Sequence, residues 1–144
     1  MQDITEPKSS EKLFNSINSY EAGSSKLTTW SLSIVGGSLL MIVNNSYFRP
    51  PESDGRYFYF LFVAGWLLIG MSLYHSFSIT RRAMVKDLYK DDFVQLTKIL
   101  YKCNAGFKWQ LRFFQWGLLV FGIWLVIYLI CWMNADTSIP KLKS

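Results

Sequence analysis

Few side chains in this sequence could do chemistry. His75 is the only histidine, and it lies in a stretch, residues 57–80, without a single Asp, Glu, Lys or Arg. A titratable group inside such a stretch is a functional candidate, because an unpaired charge in lipid is costly. It could gate or relay a proton. The plainer role is a neutral imidazole bonded to a serine of a neighbouring helix. No carboxylate occurs in this stretch or in the two others like it, so nothing at that depth would orient the ring for Ser-His-Asp chemistry. A nucleophile elbow and a phosphate-binding glycine loop are also missing from the sequence. The expectation is a protein that is not an enzyme and takes no cofactor.

The two cysteines, Cys103 and Cys131, fall at opposite ends of the apolar region that contains the second of them. A disulfide needs Cα atoms within roughly 7 Å, so they are expected to stay free within one chain. Two cysteines and one histidine so placed give no zinc site either. Asp87, Asp91 and Asp92 cluster, and the pattern suits a turn and a helix cap better than a cation site.

Small residues form a sharper pattern. Ser33 and Gly37 are four apart with Gly36 beside them, and Ser72 and Ser76 are four apart. Small side chains at this spacing let helix backbones approach closely in lipid. They would serve packing within the chain or an interface between subunits.

The elements that must carry these residues follow from the charge pattern. Three stretches lack charge: residues 27–48, 57–80 and 113–133. A bilayer core of roughly 30 Å takes about 20 helical residues to cross, and each stretch is long enough. The expected fold is therefore all-α, an integral membrane protein with three transmembrane helices. Residues 1–26 form an N-terminal segment without an apolar leader, so the first span would be an uncleaved anchor. Residues 134–144 form a short tail. The loop "RPPESDGR" is full of turn formers, so spans one and two should pair as an antiparallel hairpin.

Lys and Arg set the orientation. Eight of the fifteen fall within residues 81–112, and with Lys8, Lys12 and Lys26 they place eleven on one side, against Arg49, Arg56, Lys141 and Lys143 on the other. Positive charge stays in the cytoplasm, which puts the N-terminus inside and the C-terminus outside, in a cell or plasma membrane. Trp30, Tyr47, Tyr57, Tyr59, Tyr74, Trp109, Trp116 and Trp132 mark the span ends, as interfacial aromatics do. The glycosylation acceptor at Asn44 would lie too near the membrane to be modified.

Within residues 81–112, Phe93, Leu96, Leu100, Cys103 and Phe107 recur at helical spacing. The second span is expected to run on, reverse near Asp91 and return as an amphipathic helix to Cys103. "NAG" at Asn104–Gly106 should break that helix before span three. The two arms would form a cytoplasmic hairpin; alternatively, the second would lie flat on the inner leaflet. Either way Arg81, Arg82, Lys86, Lys98 and Lys102 are candidates to dock lipid or a partner.

The expected function is a non-enzymatic interaction or regulatory subunit. Membrane lipids, further copies of itself or other membrane proteins would be its partners. The alternative is a self-assembling pore former of holin or toxin type, with Ser31, Ser38 and Asn45 as lining. A net charge of +5, gathered near the membrane edge, argues against nucleic acid.

Overall fold

The computed structural model describes residues 6–43, 56–90 and 92–135, and within them the protein is entirely helical. Helix α1 spans Glu6–Val43, α2 spans Arg56–Met84 and α3 spans Phe93–Ala135. A 3-10 turn, Lys86–Tyr89, links α2 to α3. Asn44, Asn45, Tyr47, residues 49–55, Asp91 and the tail beyond Ala135 lie outside the described residues, and with them the expectations placed there.

One sequence expectation is corrected. "NAG" does not break the chain, because α3 runs unbroken from Phe93 to Ala135. Glycine costs a helix interior about 1 kcal/mol, and here the cost is offset by close packing. A Cβ at Gly106 would sit 3.1 Å from Ile79 Cγ1, so the missing side chain is what lets α3 approach α2. Helix α1 starts at Glu6 and runs unbroken through Lys26 into the expected first span.

Helix α3, with 43 residues, is about 65 Å long at about 1.5 Å per residue. That is twice the thickness of a bilayer core. Among the described residues, two helices are long and apolar enough to cross a membrane, α2 over Tyr59–Met84 and α3 over Phe93–Ile130.

The turn between α2 and α3 has identifiable causes. Ala83 is the last buried residue of α2. Beyond it "KDLYKDD" offers no apolar face to continue the packing, and the backbone tightens. Val85 N–H donates to the Arg82 carbonyl and Leu88 N–H to that of Val85. Asp92 then caps α3, its Oδ1 accepting from Gln95 N–H at 3.0 Å.

Three layers stack along the bundle. At the turn end, Ile17, Ile79, Ala83, Leu96 and Cys103 form an apolar core, with Leu13, Tyr20 and Phe107 packed against it. A polar layer follows. At the far end α2 and α3 close on each other through Ile69, Phe62, Phe121 and Trp124. Helix α1 packs less closely on this pair than α2 and α3 do on each other.

Beside the apolar core, polar side chains are buried and large apolar ones are exposed. Ser24, Ser31, Ser72, Ser76 and Gln110 are buried. Phe60, Val63, Leu67, Met71, Tyr74 and Phe77 form an exposed stripe along α2 at helical spacing. Contiguous apolar surface on that scale is rare where water is the solvent.

Candidate functional site

The polar layer is built on Gln110, which α3 points at both other helices. Ser24 Oγ donates to Gln110 Oε1 at 2.7 Å, and Gln110 Nε2 donates to the Ser24 carbonyl at 3.2 Å. Ser72 Oγ donates to the backbone carbonyl of Gln110 at 3.1 Å. Ser76 Oγ lies 3.0 Å from Ser24 Oγ and also bonds Thr28 Oγ1. All three helices are thus tied at one level, where an unmade bond would be costly. The layer has no acid or base, so it can hold and orient but not transfer protons.

On α1 the layer belongs to a longer seam. Ser24, Thr28, Ser31, Val35 and Ser38 repeat at alternating steps of four and three, the spacing of helix-packing positions. Ser38 Oγ accepts from Trp66 Nε1 at 3.0 Å. Ser31 is fully buried, and its hydroxyl has no hydrogen-bond partner. The outward face of α1 instead exposes Trp30, Leu32, Leu39 and Leu40. This seam was visible as a heptad pattern in the sequence. Gln110 carried no such signal, because it falls in the polar segment, between Lys108 and Arg112.

The small residues divide. Ser72 and Ser76 lie in the α2–α3 and α1–α2 contacts just described. A Cβ on Gly36 or Gly37 would meet nothing within 4 Å, so these glycines do not pack α1 on α2. Gly37 instead lines an open apolar groove of about 250 Å³ with Ser33, Phe62, Phe121 and Trp124. Close approach falls to other glycines. A Cβ on Gly117 would lie 3.0 Å from Ile69, and one on Gly65 3.0 Å from Phe121.

His75 stacks on Phe113, with ring centroids 5.5 Å apart and planes 13° from parallel, and meets Tyr74 edge-on. It takes no part in the polar layer. Cys103 is buried in the turn-end core. Among the described residues no three His, Cys, Asp or Glu converge as metal ligands would.

The basic residues split into two sets. Lys86 is consumed within the chain: it pairs with Glu21 at 3.1 Å, bonds Asn18 and lies over the Phe14 ring. Arg82 donates to the Lys102 carbonyl at 3.0 Å. Arg81, Lys98 and Lys102 are exposed. Arg81, Arg82 and Lys102 also share an open recess of about 210 Å³ with Tyr89, Gln95 and Ile99.

No family model, curated protein or solved structure matches this chain.

Proposed function

We propose that this chain is a three-span membrane protein whose helices continue into the cytoplasm as a three-helix stalk, and that the stalk docks a partner. The exposed apolar stripe, together with the buried polar layer, carries this reading. Lipid solvates the apolar stripe of α2 and the outward face of α1, while hydroxyls and an amide pair inside the bundle. Helix α1 suits the same reading: its polar groups turn inward along the seam and leave an apolar face for lipid.

The turn end holds most of the Lys and Arg, which places it, with the N-terminus, in the cytoplasm. Of the basic side chains there, Arg81, Lys98 and Lys102 are free to meet a partner, whereas Lys86 fastens α1 to the turn. No catalytic constellation accompanies them, so the role is that of an interaction or regulatory subunit.

Crosslinking in native membranes tests this, with membrane potential followed during expression. A heteromeric band at unchanged potential, lost in a Lys98→Glu, Lys102→Glu double variant, is the expected result. A ladder of homo-oligomers with depolarisation would overturn it in favour of a self-assembling pore. That second reading draws on one observation, the open face at Gly36 and Gly37, where another helix could approach closely. Its expected lining does not serve it: Ser31 and Ser38 turn into the chain's own bundle.

A further inference from the structure

We infer that the outward face of α3 around Lys108 and Arg112 binds the headgroup of an anionic phospholipid of the cytoplasmic leaflet. The inference rests on the membrane reading above and adds a site to it. Tyr101, Asn104, Ala105, Lys108, Trp109 and Arg112 line an open recess of about 210 Å³. Two cations stand one turn apart in it, and its lining includes no Asp or Glu. The Arg112 guanidinium lies 5.3 Å from the centre of the Trp109 ring, which braces it at the edge of the recess. Among the described residues neither cation makes an ion pair, so both charges are available to an anion from outside.

Depth selects the anion. The bonds of the polar layer set the register of the three helices: Ser72 beside Gln110, and Ser76 between Ser24 and Thr28. That register brings Trp30, Tyr74 and Trp109 within about one turn, ~5 Å, of a common level. All three are exposed, at 66%, 67% and 49%. Exposed aromatics from three helices at one level form an interfacial belt, and the belt fixes headgroup depth. Lys108 and Arg112 flank it directly. Arg82 and Lys102 lie further toward the turn, seven residues of α3 or about 10 Å from the Trp109 level, and stand in water.

The surface beyond the cations suits the rest of the same molecule. Trp116, Leu119 and Ile123 continue the α3 face from Arg112 at helical spacing, and all are exposed. A phosphodiester at Lys108 and Arg112 would lay its acyl chain along them. A free phosphate would use only the first part of this surface.

Native mass spectrometry of protein extracted from mixed phosphatidylcholine and phosphatidylglycerol membranes is the test. The intact chain should retain phosphatidylglycerol selectively, and excess inorganic phosphate should not displace it. A Lys108→Gln, Arg112→Gln double variant should lose that lipid several-fold, while Lys98→Gln, Lys102→Gln should keep it. Arg112→Lys should keep most of it, since charge is preserved. Equal retention of both lipids, loss only in the Lys98, Lys102 variant, or displacement by phosphate would each overturn the inference. An alkaline wash of the same membranes separates the two levels. Release of the protein would sink the membrane reading itself, whereas a retained protein without lipid preference sinks only this site.

Discussion

Gln110 is the side chain on which most of the internal polar bonding converges, and its removal is the most informative single change. Gln110→Ala leaves Ser24 Oγ with Ser76 alone and opens space in a packed layer. Interhelical hydrogen bonds in membrane proteins are worth about 0.6 kcal/mol on average and up to about 1.7. Two such bonds and the lost packing should together cost about 1–3 kcal/mol. The measurement is thermal unfolding in detergent, followed by helical signal. Ser24→Ala should cost a comparable amount, because it also removes two bonds and leaves Gln110 Oε1 buried without its donor. Cys103 offers a second check at this scale. It is fully buried between helices, so a membrane-permeant maleimide should label it only when the turn end unfolds. Fast labelling of the folded protein in a Cys131→Ser background would contradict the packing of Leu96, Cys103 and Ile79.

At the level of helices, the glycines separate contact from open surface. Gly117→Ala would press a methyl against Ile69 Cγ1 and Cδ1 at 3.0 Å. Ile69 is fully buried and has little room to turn aside, so a loss of about 1–3 kcal/mol is expected. Gly122→Ala meets nothing within 4 Å and should be neutral or slightly stabilising. Gly37→Leu should leave the fold intact; a changed oligomer size in that variant would mark the α1 face as an interface. The sequence revealed the helical character of this chain and the long apolar runs, because both follow from composition over many residues. It did not reveal which glycines are contacts. Ser33, Gly36 and Gly37 have the spacing of a packing motif yet face open space, while Gly65 and Gly117 have no motif and carry the α2–α3 approach. Spacing within one helix cannot report what the opposite helix presents. "NAG" misled for the same reason. Its local breaking tendency was plain, and the fit of Gly106 against Ile79, a non-local fact, outweighed it. Amide exchange at residues 104–108 should accordingly be as slow as on either side.

Considered as a whole, and on the three-span reading proposed above, the three helices share one depth axis, along which the bonds between them place a boundary on each. The charge-free run of α2 reaches Thr80, but Ser72 is bonded beside Gln110, close to the charged Lys108 and Arg112. The lipid boundary on α2 is therefore expected near Tyr74, not Thr80. On that reading His75, stacked on Phe113, would sit at headgroup level. Nitroxide labels along α2 should show the acyl-chain signature at Val63 and Leu67 and the interfacial one at Phe77. An acyl-chain signature at Phe77 would restore the longer span.

The hydroxyl seam of α1 has a consequence for how the protein is made. Ser24, Thr28, Ser31 and Ser38 are harmless only once α2 and α3 cover them. On the three-span reading, α1 emerges ahead of α2 and α3 with that seam bare, and an insertion machinery that weighs each helix by its own apolarity would hold it less firmly than its later partners. Its retention should wait for the later helices to arrive as a pair. A chain truncated before Arg56 should wash out of membranes at alkaline pH, and one carrying α2 and α3 should keep its first helix in place. The order of biogenesis would then run against the order of translation.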